Sequence, residues 1–271
     1  MKRLLFTTLF CVAAMGVFAQ NTTTDSIKNS TTTDTITIKK GNVKVGFGDE
    51  GTGLEVEHHH HSGVSGFSIG LTLSRLDLGL TTLIDNGSFT LSPKNEFLRY
   101  RSWKSSNNGF DLFQFGYRFT DGFKVYVSGG FDWTLIRLRE NITILPNQPV
   151  LTYRVDSIDY SKNRFSATYL RIPLSFDFRS KEDADGRRFH FVIGPDIGLL
   201  LGGRVKQISD EFGKQKVDDD YHFTKMRYGG FFRVGYGAWG IFAKYYMSNM
   251  FENSPEQDGL KNFSFGIMLG F

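Results

Sequence analysis

The sequence predicts an all-β protein: an eight-stranded antiparallel up-and-down β-barrel that crosses a membrane. Three observations lead there. From Val64 onward, apolar residues alternate with polar or small ones, the two-residue period of a strand, while helical periodicity is absent. The strand-like segments number eight, and the connections between them are by turns short and long. The composition is rich in Phe (27), Tyr (11) and Gly (30), with a single Cys.

The barrel is expected to span 64–271, after an export signal over 1–19 and a polar flexible leader over 20–63. Lys2 and Arg3 form a positive start, Leu4 to Val17 an apolar run, and Val17-Phe18-Ala19 a small-residue cleavage site. Cys11 follows Phe10, where a lipid-anchored signal needs a small residue, so no anchor is expected. Cleavage takes the one cysteine and two basic residues, leaving no thiol chemistry and a formal charge of +2 in place of +4. Nothing in that balance calls for nucleic acid. The leader, "NTTTDSIKNSTTTDT", has too few apolar groups to offset the entropy of ordering. "ITIKKGNVKVGF" is either a linker or a small hairpin turning at Lys40-Gly41-Asn42.

The first strand lies in "GFSIGLTLSRLDLGL", where the apolar phase slips between Leu73 and Leu76 and a bulge is expected. "GFDLFQFGYRF" turns through Thr120-Asp121-Gly122 into "FKVYVSGGFDWTLIRL". "RFSATYLRIPLSFDF" and "RFHFVIGPDIGLLLG" follow; Pro173 and Pro195 each remove a ladder donor and read as local bulges. "MRYGGFFRVGY", "WGIFAKYYMS" and "KNFSFGIMLGF" complete the set. Most approach the roughly 9–11 residues that a tilted strand needs to cross a bilayer. No segment has the 18 or so consecutive apolar residues of a transmembrane helix.

Each strand has an aromatic-rich face and an opposite face carrying charge and glycine. The inward set of a barrel would include Arg75, Asp77, Arg118, Asp132, Arg171, Asp177, Asp196, Arg227, Arg233 and Lys244. Eight strands leave a lumen that side chains can fill, so these ten are expected to form one paired network with Asp132 and Arg171 at its centre. In a soluble sandwich the same charges would meet water. Loop asymmetry, and Tyr and Trp near the strand ends, favour the barrel. The terminal strand is expected to pair with the first and close the ring, removing both edges.

The export signal, polar leader and aromatic-terminated last strand, with "LDLGLTTLIDNGSF", "ATYLRIPLSFDF", "MRYGGFFRVGYG" and "FSFGIMLGF", resemble the small outer-membrane β-barrels of Bacteroidetes, the outer membrane protein beta-barrel domain or PorT-like group. The resemblance covers 64–271 and implies the outer membrane of a Gram-negative envelope. It also implies that Phe263, Phe265 and Phe271 match the signal read by the barrel-assembly machinery.

Chemistry is sparse. "GFGDEG" (Gly46 to Gly51) has GxGxxG spacing but no helix pattern after it, so a nucleotide site is not expected. His58, His59, His60 and His61 are weak metal-ligand candidates in a segment without defined geometry, and a polar linker is the plainer reading. Outside the leader only His190 and His222 remain, at opposite barrel ends, so no enzyme, catalytic residue or cofactor is expected. The long connections carry Phe89, Phe97, Tyr100 and Trp103 among basic residues. They either cover the barrel mouth or bind an extracellular protein or glycan. The expected function is structural or interactive, in a lipid-embedded monomer; the alternative is a narrow pore or a secretion accessory.

Overall fold

The computed structural model describes residues 43–46, 53–56, 66–71 and 75–270. The signal, the tetra-His run, the Lys40–Asn42 turn and Phe271 lie outside the described residues. Fourteen strands are described: β1 (Val43–Gly46), β2 (Gly53–Val56), β3 (Gly66–Leu71), β4 (Leu76–Asp85), β5 (Ser106–Thr120), β6 (Phe123–Arg137), β7 (Ile142–Ile144), β8 (Tyr153–Val155), β9 (Tyr160–Arg179), β10 (Phe189–Ser209), β11 (Gly213–Asp219), β12 (Met226–Tyr236), β13 (Trp239–Tyr246) and β14 (Leu260–Leu269). β1 and β2 pair as a hairpin inside the stretch read as leader, Val43 opposite Val56 and Gly46 opposite Gly53.

Eight strands close a ring in the order β4-β5-β6-β9-β10-β12-β13-β14, every pair antiparallel and β14 returning to β4. The closing ladder runs from Leu260 opposite Asp85 to Leu269 opposite Leu76. This leaves no lipid-exposed ladder edge around the ring, the condition a bilayer imposes on a β-structure. β3 and β4 both pair with β5, Leu71 opposite Phe113 and Leu76 opposite Phe110, in registers that differ. The phase slip expected between Leu73 and Leu76 falls on residues 72–74, outside the described residues.

The prolines behave differently from expectation. Pro173 pairs with Asp196 in the same register as Ile193 with Phe176, so neither proline makes a bulge. The β9–β10 shift falls instead at Leu200/Gly202, and β5 has one of its own between Asp111 and Phe113. The missing donors are absorbed by gaps in the ladder.

Short connections join β5 to β6, β9 to β10 and β12 to β13; the long ones all leave the opposite end. The outer face is apolar and exposed, with Phe113, Phe115, Ile172, Phe191, Ile193, Ile197, Phe232, Ile241, Phe265 and Ile267 each at least 39% accessible. Near the short-turn end, rings run around the wall from Phe67 to Tyr117 (4.8 Å), Phe119 (4.8 Å), Phe123 (5.6 Å), Phe178 (5.0 Å) and Phe191 (6.3 Å). Such a belt suits a membrane–water boundary. The charged face points inward, the reverse of a soluble sandwich.

Candidate functional site

The interior is layered. Its middle holds five cations, Arg75, Arg171, Arg227, Arg233 and Lys244, and four carboxylates, Asp77, Asp111, Asp132 and Asp196, none more than 5% exposed. Charges so far from water persist only when paired and hydrogen-bonded. Arg171 donates to Asp111 through Nε (2.8 Å) and Nη2 (2.5 Å), and to Asp77 through Nη1 (2.7 Å). Lys244 Nζ bridges Asp77 (2.9 Å) and Asp132 (3.0 Å), and Arg233 Nη2 reaches Asp77 (3.0 Å). Arg227 donates to Asp132 (2.6 Å), with its guanidinium between the rings of Tyr169 (3.7 Å) and Tyr246 (4.0 Å). Tyr246 in turn donates to Asp196 (3.2 Å).

Asp132 is therefore not the close partner of Arg171: the two lie 3.8 Å apart, while Asp111 and Asp77 take the hydrogen bonds. Asp111 was missed in the sequence because strict alternation from Phe113 places it outward. The register shift at Leu112 turns it in. A carboxylate amid an apolar run, followed by the Gly129-Gly130 pair on the next strand, was the available signal.

Two of the ten predicted residues sit elsewhere. Asp177 lies lower, with Arg179 Nε at 2.7 Å and His190 Nδ1 at 3.3 Å. Arg118 is half-buried near the Asp121–Gly122 turn, opposite Lys124. Glycine gives the central cations their room: a Cβ on Gly109 would lie 2.5 Å from Arg171 Nη1, and one on Gly198 2.7 Å from Arg227 Nε.

Below the charges, Tyr126, Val192, Phe231, Phe242 and Met268 form a small apolar layer. The rings of Tyr126, Phe231 and Phe242 take Arg75, Arg233 and Lys244 over their faces at 4.9, 4.9 and 4.8 Å.

Above the charges the long connections build a second core. Leu98, Ile136, Ile142, Ile144, Leu151, Phe165, Phe223 and Phe251 are among its buried residues. Phe165 and Phe223 stack at 4.6 Å, Phe223 and Phe251 at 5.2 Å. The β7–β8 hairpin is held over the mouth where Asn163 (2.7 Å) and Gln207 (3.0 Å) donate to the Ile142 carbonyl. Phe97 stacks on Tyr153 at 4.4 Å, and Leu151 N–H donates to Ser254 Oγ at 2.9 Å, tying three connections together. The hollow between this cap and Arg227 measures about 20 Å³, room for a single water.

His190 stands in register with Arg179 at the short-turn end, and His222 packs in the cap with Nε2 2.6 Å from the Gln148 carbonyl. Among the described residues no group of three or more His, Cys, Asp or Glu side chains is placed to hold a metal.

A closed ring with an apolar shell and a filled, charged interior defines a bilayer-embedded β-barrel. The chain belongs to the outer membrane protein beta-barrel domain family, whose model matches residues 18–251, and its place is the outer membrane. Among solved structures it is similar to Ail, the attachment invasion locus protein of Yersinia pestis. That likeness is 12% in identity with a TM-score of 0.31, over 77% of this chain and 98% of the other. So loose a superposition adds nothing to the assignment, which rests on the family match and the closed ring. No curated protein sequence matches the chain.

Proposed function

We propose that the protein is a sealed outer-membrane platform: a side-chain-plugged barrel that presents its folded extracellular cap to a protein or glycan. The observation that carries this reading is the continuous filling of the lumen by apolar layer, charge layer and cap. An eight-stranded barrel has an interior scarcely wider than its side chains, and this one spends that space on paired ions. On the cap, Trp103 is 87% exposed, with Phe89 and Val155 also bare, and exposed aromatics on a rigid support suit recognition. The reading assigns no catalytic role to His190 or His222, which stand at opposite ends of the barrel.

Planar-bilayer recordings on the refolded protein test this. The expected trace shows no stable conductance. Reproducible ion channels that vanish in Arg171→Met would replace the platform with a narrow pore.

A further inference from the structure

β9, β10 and β11 rise beyond the apolar band as a three-stranded extension, and one rung across its wall is wholly basic. Arg137 on β6 pairs in register with Arg164 on β9, Arg164 with Lys206 on β10, and Lys206 with Lys216 on β11. The next rung outward on the same face reads Lys162, Ile208, Lys214. These six cations point away from the cap core, since the alternate positions Phe165 and Val205 are buried in it.

Like charges directly opposite on neighbouring strands repel and weaken a sheet. Here four stand in line, and little nearby relieves them. Arg137 donates to the Ser161 carbonyl, a neutral partner. The carboxylate one rung below, Asp218, is already held by Arg204. Arg164 Nε is buried and meets no hydrogen-bond acceptor among the described residues. Such a row of cations is the electrostatic complement of an anionic group.

The height of the rung says which anion. On the same outward file of β6, Trp133 stacks on Phe131 (5.9 Å), opposite Thr168 and Leu170, where the apolar band of β9 gives out. An aromatic there marks the membrane interface. Arg137 lies four residues further out, about 13 Å along a strand and about 10 Å in height at a barrel's tilt of ~40°. That puts the rung's backbone at the outer edge of the headgroup layer, within reach for Arg and Lys side chains that extend back towards it. We propose that Arg137, Arg164, Lys206 and Lys216, with Lys162 and Lys214 above, bind phosphate groups of outer-leaflet lipid headgroups and fix the barrel's depth against them. The site depends on the outer-membrane setting and not on the plugged lumen.

The test uses the full chain refolded into phosphatidylcholine vesicles doped with diphosphoryl lipid A or with the same lipid dephosphorylated. Heat-modifiability in phosphatidylcholine alone controls for folding. Wild type is expected to retain the phosphorylated lipid selectively. Each neutralised cation weakens attraction to an anionic surface by about five-fold, so R137Q/R164Q/K206Q/K216Q should lose at least about ten-fold in retention. The charge-preserving pair R137K/R164K should keep it. Equal retention of both lipids by wild type would overturn the proposal without any variant. A quadruple variant within two-fold of wild type would do the same. Tighter binding to a soluble sulfated polysaccharide than to the vesicles would move the site from lipid to free glycan.

Discussion

Replacing Arg171 with Met is the sharpest perturbation of the barrel's interior. The side chain is 1% exposed and donates three hydrogen bonds to two carboxylates, at 2.8, 2.5 and 2.7 Å. Hydrogen bonds to charged groups contribute about 1.5–3 kcal/mol each, a gross loss of about 5–9 kcal/mol. Two effects reduce it. Asp77 keeps Lys244 at 2.9 Å and Arg233 at 3.0 Å, and the layer sheds its surplus cation. Asp111 is worse placed, with Arg75 at 3.5 Å and Arg233 at 3.9 Å as its remaining cations. Local geometry outweighs net charge, and the expected destabilisation is about 3–5 kcal/mol, the usual result of stranding a buried charge. Urea unfolding in vesicles, followed by the fluorescence of Trp103, Trp133 and Trp239, measures it. Adding Asp111→Asn removes the stranded charge, so the double variant should recover about 1–3 kcal/mol relative to additivity. Asp132→Asn, whose carboxylate is 3.8 Å from Arg171, should couple less. A single-variant loss below about 1 kcal/mol, or equal coupling to both aspartates, would refute the assigned pairing.

Three further outcomes are expected. Gly130→Ala should cost about 1–3 kcal/mol by overpacking, because its Cβ would lie 2.0 Å from the Phe110 carbonyl oxygen, whereas Gly66→Ala faces open space and should be near neutral in the same titration. Burial raises the Asp156 carboxyl, but Thr143, Arg154 and Tyr160 together hold it below its ordinary 3.8. That contribution to stability is therefore complete above 3.8 and is lost as pH falls through the lower folded value. Hydrogen exchange of the β7–β8 hairpin should rise on acidification in wild type and show no such step in Asp156→Asn; identical profiles would remove Asp156 as the cause. Deleting Phe271, or making it Asp, should lower the outer-membrane level in cell fractionation, with unchanged insertion counting against an assembly role for the terminal aromatic.

Much of the architecture is legible in the sequence because lipid constrains a strand locally. The outward file Leu170, Ile172, Leu174, Phe176, Phe178 alternates with inward Arg171, Ser175 and Asp177, and a two-residue period needs no knowledge of neighbours. Loop lengths alternate in the same readable way, and the terminal strand had to pair with the first because an open edge has no water to satisfy it. Ion pairing was not legible. Which carboxylate meets Arg171 depends on register, and the single extra residue at Leu112 brings in Asp111 where alternation excludes it. The cap was equally hidden: Ile142, Leu151, Phe165, Phe223 and Phe251 show no shared period, and only the closed ring brings the connections that carry them over one mouth. Alternation determined which side of the wall each residue takes. Partner choice inside the wall depends on distances between strands far apart in sequence, and those exist only once the ring has closed.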